Sequence, residues 1–219
     1  MMTSTTEGSI TERPTTEGAA TGPRTPLRPS GSPNPVHAVA LGVLGGLLWS
    51  AALRAYMSEI AGRGSEFHWP GTFIGVLVPG AVAGGLLGYA YARRALGRTR
   101  GLRWLGLAPF AFAIGPLLLP GAVVDLVTSG LGAGAIALPV GAIAAGYAIS
   151  GAGPVWARIA TGIPGLGMLA AVVVVTPILG GAPLALTPED ARGGWVLVLI
   201  GSLMAALALA ASIPFRPVR

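Results

Sequence analysis

Beyond residue 35 the chain runs as six apolar stretches, each close to the ~20 residues an α-helix needs to cross the hydrocarbon core of a bilayer. They fall at about 36–57, 70–92, 104–124, 131–152, 159–180 and 194–215. Such a chain cannot close around one water-soluble core. Of its residues 53% are hydrophobic and 10% charged, against about 25% charged in soluble domains. The surplus apolar surface must face lipid, so the expected fold is all-α, a bundle of six transmembrane helices. The connections are short, which makes sequential helices antiparallel neighbours. Membrane strands alternate in polarity over about ten residues, whereas these runs are continuous and about twice as long. The 35 Gly and 19 Pro fall mostly inside the apolar runs, where Gly admits close helix contact and Pro kinks are tolerated.

Residues 1–35 differ in kind. They carry eight Thr and six Pro, and Thr5-Thr6-Glu7-Gly8 returns as Thr15-Thr16-Glu17-Gly18. A stretch this poor in apolar residues cannot offset its ordering entropy, so a disordered cytoplasmic tail is expected. It lacks the basic start, apolar stretch and cleavage site of a signal peptide. Orientation follows from arginine. With the N-terminus inside, eleven of the fourteen Arg lie on the cytoplasmic side, and Arg54, Arg63 and Arg192 lie opposite. The turn holding Arg93, Arg94, Arg98, Arg100 and Arg103 weighs most, being short and beside two spans. Both termini are therefore expected in the cytoplasm, with the chain in the cell (inner or plasma) membrane. The acids outside the tail, Glu59, Glu66, Asp125, Glu189 and Asp190, all fall at the outer ends or loops of this topology.

The formal charge of +6 invites a nucleic-acid reading. Its location in loops beside apolar spans is what the positive-inside rule produces without any polyanion, so the partner is the lipid bilayer. The absence of cysteine removes disulfides, thiol nucleophiles, thiolate metal sites and palmitoylation. Arginine without lysine, with much Ala, Gly and Pro, resembles the composition of GC-rich bacterial genomes.

The richest polar stretch bridges the first two spans, from Arg54-Ala55-Tyr56-Met57-Ser58-Glu59 through Arg63 to Glu66-Phe67-His68-Trp69-Pro70-Gly71-Thr72-Phe73. Arg54 lies about one turn inside the first span, and a charge there must snorkel, pair or line a wet cavity. Glu59 lies five residues on, about 140° around a helix, so Glu66 or Asp125 is the expected partner. The bland reading has Arg54 snorkelling while its neighbours fold the loop. The functional reading makes Arg54, Glu59, Glu66, His68, Trp69 and Asp125 an outer vestibule for a small polar solute. This segment resembles one in uncharacterised bacterial multi-span membrane proteins, which pair an Arg-x-aromatic-Met run with a Glu-Phe-x-Trp-x-Gly-Thr run. The resemblance covers about twenty residues and implies a membrane protein without implying an activity.

Enzymatic readings fare poorly. Glu66 and His68 make two metal ligands where protein sites usually need three or four, so no metal or other cofactor is expected. A rhomboid-like Ser nucleophile needs a base within reach, and the later spans hold no His. There is no HExxH, Walker A or dinucleotide fingerprint. The middles of spans two to six hold no Asp, Glu, Arg or His, which argues against a proton- or sodium-coupled pump. Three readings remain. The first is binding or passage of a small solute. The second is a structural or regulatory partner, using the tail and the arginine turn. The third is a lipid-modifying enzyme with Glu66 or His68 as acid/base. The spacings Gly42-x-x-x-Gly46, Gly71-x-x-x-Gly75 and Gly80-x-x-x-Gly84-x-x-x-Gly88 predict close helix contacts.

Overall fold

The computed structural model describes residues 34–117, 133–187 and 190–217, and among them every regular element is helical. Helix α1 (Pro35–Ala61) starts where Asn34 Oδ1 accepts the Val36 N–H at 2.9 Å, with Pro35 in the first turn. It ends at Gly62, whose φ of +55° suits glycine. Helix α2 (Pro70–Ala95) opens with a π-helical stretch, Pro70–Leu77, in which the Val78 N–H reaches Phe73 O. Pro79 follows directly. A proline ring clashes with the carbonyl four residues back, and the wider π turn is one way to accommodate it.

The chain continues through α3 (Leu102–Leu105), a 3₁₀ turn at Ala108–Phe110 and α4 (Ala111–Leu117). Then come α5 (Ala133–Ile149), α6 (Val155–Gly180) and α7 (Arg192–Ser212), the last prolonged by a 3₁₀ turn to Phe215. Four helices, α1, α2, α6 and α7 with its extension, are long and apolar enough to cross a membrane. The two remaining expected spans look different. The third, 104–124, is broken by the turn at Pro109, and residues 118–124 lie outside the described residues. The fourth, 131–152, is described as a 17-residue helix. At ~1.5 Å per residue that is just short of the ~30 Å core. Residues 1–33 of the tail, Asp125 and Glu189 also lie outside the described residues.

Glycine joins α1 to α2. A Cβ added to Gly84 would fall on the Gly42 carbonyl, one on Gly46 on the Gly80 carbonyl, and one on Gly88 on the Ala38 carbonyl. The pairs 38/88, 42/84 and 46/80 run in opposite senses, so the helices are antiparallel and their backbones touch. The spacing read from sequence thus serves contact within the chain. Gly71-x-x-x-Gly75 does not: a Cβ at Gly71 meets nothing within 4 Å, and one at Gly75 only the Pro70 carbonyl oxygen of its own helix at 3.7 Å. Helix α5 packs antiparallel on α6 through Gly141 against Met168 and Gly165 against Ala145, and Gly146 meets the backbone of α7 near Ala208–Ser212.

This packing gives the bundle two unlike ends. One gathers the start of α1, the α2–α3 turn, the α5–α6 turn and the end of α7. It carries Arg93, Arg94, Arg98, Arg100, Arg103, Arg158 and Arg216 with no described acid. The other gathers the α1–α2 and α6–α7 loops and carries Arg54, Arg63 and Arg192 with Glu59, Glu66 and Asp190. Trp104 and Trp156 stand exposed at the arginine end, Trp69 and Trp195 at the acidic end. That is the distribution of two aromatic belts.

The glycine contact yields an expected outcome. Gly84→Ala should lower stability in detergent by about 1–3 kcal/mol through overpacking, despite the higher helix propensity of Ala. Gly201→Ala, in α7 with open space around it, should be neutral or stabilising. Equal melting temperatures for the two variants would contradict the contact.

Candidate functional site

The acidic end is organised by Arg54. Because α1 continues to Ala61, Arg54 lies two turns from the helix end rather than one. Its guanidinium reaches over the loop, donating to Ser65 Oγ at 3.2 Å and to the Glu66 carbonyl oxygen at 2.6 Å. It also stacks on the Phe67 ring, 4.1 Å from the centroid. A planar fork with five donors suits this combination of two acceptors and an aromatic face. Arg54 and Glu66 do meet, as the sequence suggests, but through the main chain.

The Glu66 carboxylate turns the other way. Its Oε2 lies 2.9 Å from His68 Nε2, and both side chains are exposed, at 75% and 70%. Beside them Trp69 stacks on Phe73 with centroids 4.3 Å apart. Glu59 is taken by a partner that sequence reasoning did not weigh. Arg192, at the start of α7, donates from Nε and Nη2 to Glu59 Oε2 at 2.9 and 2.8 Å. This pair ties the end of α1 to the α6–α7 loop. Half-exposed, it contributes on the order of 1 kcal/mol or less.

Below this layer lies a buried polar contact. Tyr56 O–H and Thr176 Oγ1 are 2.8 Å apart, and Thr176 Oγ1 also lies 2.6 Å from the Val172 carbonyl oxygen. The single Thr proton goes to the carbonyl, so Tyr56 is the donor. The contact joins α1 to α6 just before Pro177. The one sequence signal for it is a lone hydroxyl in an otherwise apolar run. Leu53, Leu184, Val196, Ile200, Leu203 and Met204 pack around Tyr56 as the main core of this half. Trp49, deep in the span, donates from Nε1 to the Leu203 carbonyl at 2.7 Å and rests on Phe112.

Of the six residues read from sequence, five are described, all on this end of the bundle. Arg54 and Glu59 are engaged in holding the fold, while Glu66, His68 and Trp69 stand free of it at the surface. Asp125 lies outside the described residues. No third His, Asp or Glu joins Glu66 and His68 as a metal ligand among the described residues. Four cavities lined wholly by described residues lie elsewhere, between helices or at the arginine end. No family model, curated protein or solved structure matches the chain.

The Arg54 clamp should be visible in hydrogen exchange of residues 62–69. Hydrogen bonds to a charged group contribute about 1.5–3 kcal/mol, reduced here by partial exposure, so Arg54→Ala should speed exchange in the loop by roughly tenfold. Arg54→Lys should not restore protection, because an ammonium cannot serve both acceptors and the ring with one planar fork. Unchanged exchange in Arg54→Ala would remove the clamp.

Proposed function

We propose that the chain is a non-enzymatic, six-span integral membrane protein of the cell membrane, with both termini cytoplasmic, which captures a small polar solute at its outer end. The orientation is supported by the seven described arginines at one end without an acid, since basic residues beside spans are retained on the cytoplasmic side. The functional reading rests on one observation. Glu66 and His68 are exposed and bonded to each other, on a loop that Arg54 fixes independently.

A loop held by other residues loses little further entropy when it binds, so its free side chains are preorganised for recognition. A carboxylate, an imidazole and the adjoining Trp69 offer a hydrogen-bond acceptor, a switchable donor and an apolar wall. This set suits a small solute with donor groups or a positive charge. With Arg54 and Glu59 committed to the fold, the recognition element contracts to Glu66, His68 and Trp69.

A second reading, as a structural or regulatory partner of other membrane proteins, is favoured by α6. Ile159, Ile163, Leu166, Val174 and Ile178 stand exposed along it, a long face for another helix or for lipid.

Thermal melting of the detergent-solubilised protein against polar metabolites separates the two, because a ligand of the native state raises apparent stability. A solute reading predicts a shift of several degrees that Glu66→Gln abolishes while the ligand-free melt stays at the wild-type value. A flat screen across amines, amino acids and polyols would overturn solute capture and leave the partner reading.

A further inference from the structure

The arginine end holds a second site, independent of the loop just described. Arg94, in the last turn of α2, turns toward the end of α7. Its Nη1 donates to the Arg216 carbonyl oxygen and its Nη2 to that of Pro217, the latter at 2.7 Å. Arg216 in turn donates from Nε to Ser212 Oγ at 3.2 Å. Arg94 and Arg216 line one small pocket of about 220 Å³, together with Tyr91, Ala95 and Ile213.

Neither has a carboxylate partner among the described residues, where the ion pairs are Glu66–His68 and Glu59–Arg192 at the opposite end. The terminal nitrogens of Arg216 have no protein acceptor among the described residues. Two adjacent cations with unspent donors make an anion site, and planar guanidinium forks match phosphate oxygens in particular.

The pocket does not end there. Tyr91 and Ile213 also line a groove of about 350 Å³ that runs between α1, α2 and α7. Its walls are apolar, including Leu41, Gly45, Trp49 and Leu207, and Leu41 and Tyr91 at its rim are exposed. Along α2 the groove extends from Tyr91 back to Gly80, which at ~1.5 Å per residue is about 16 Å. Its inner end is closed by Trp49, fixed by the bond to Leu203 and by Phe112. One leaflet of the hydrocarbon core is about 15 Å deep. A pocket flanked by two arginines therefore adjoins an apolar groove about one leaflet long.

We propose that this composite site binds an anionic phospholipid, its phosphate on Arg94 and Arg216 and one acyl chain in the groove. The charge selects the headgroup, and the length and polarity of the groove select a chain over a free phosphate. The site does not depend on which end faces the cytoplasm or on solute capture at Glu66.

The test uses delipidated full-length protein in a neutral detergent, with melting temperature followed against phosphatidylglycerol, phosphatidylcholine and inorganic phosphate. Phosphatidylglycerol should stabilise the protein, while phosphatidylcholine and inorganic phosphate should do so weakly or not at all. Arg216→Gln should weaken the apparent affinity for phosphatidylglycerol roughly fivefold, the factor expected for one arginine near an anionic headgroup. Gly45→Leu should block the chain, its side chain entering the groove from a position where a Cβ meets no atom within 4 Å. It should therefore melt like the unliganded wild type and lose the phosphatidylglycerol response. Equal stabilisation by phosphatidylcholine, or by inorganic phosphate alone, would overturn the proposal. So would an undiminished phosphatidylglycerol response in both variants.

Discussion

The cost of leaving charge or unpaired backbone in hydrocarbon governs this molecule. Every main-chain N–H and C=O in a lipid-facing segment must find a partner within the protein, which is why the apolar runs are helices. Charge is driven from the middle of those helices to their ends. The described residues follow this division closely, with arginines and no acid at one end and a mixed layer of three arginines and three acids at the other. Where a hydroxyl or indole does lie deep, it is bonded at once. Ser50 donates to its own helix, Tyr56 to Thr176, and Trp49 to the backbone of α7.

With hydrophobic burial weakened as a force between helices in lipid, packing falls to close contact and to these few polar bonds. The α1–α2 pair is the clearest instance, since its glycines let carbonyl oxygens and Cα atoms meet with nothing between. Holding α1 against α2 also sets both ends of the molecule. At one end it brings Arg54 over Ser65 and Phe67; at the other it forms one wall of the groove that shares Tyr91 and Ile213 with the pocket of Arg94 and Arg216. The two candidate sites thus depend on the same helix contact while differing in chemistry.

Much of this was legible in sequence. Helical class and the glycine ridge of α1 and α2 follow from hydropathy and spacing alone. The details of pairing were not, and the reasons are physical. Arg54 and Glu66 were readable as opposite charges at one depth, but a guanidinium near a loop can choose carbonyl oxygens over a carboxylate, and no sequence spacing encodes that choice. Glu59 and Arg192 are 133 residues apart, so their pairing depends on how α7 docks. Tyr56 and Thr176 were hidden for the same reason. Of the expected spans 104–124 and 131–152, the described parts are a stretch interrupted by the 3₁₀ turn at Ala108–Phe110 and the helix Ala133–Ile149, and residues 118–132 lie outside the described residues.

The proposed topology puts the two ends of the bundle on opposite sides of the membrane, arginine end inside. The absence of cysteine makes this unusually direct to measure, because any introduced thiol is the only one in the chain. Single substitutions Gly64→Cys and Leu186→Cys mark the acidic end, and Thr99→Cys marks the arginine turn, all at exposed positions. In intact cells a membrane-impermeant maleimide should label the first two and reach Thr99→Cys only after permeabilisation. Labelling of Thr99→Cys in intact cells, with Gly64→Cys and Leu186→Cys protected, would invert the molecule and contradict the account.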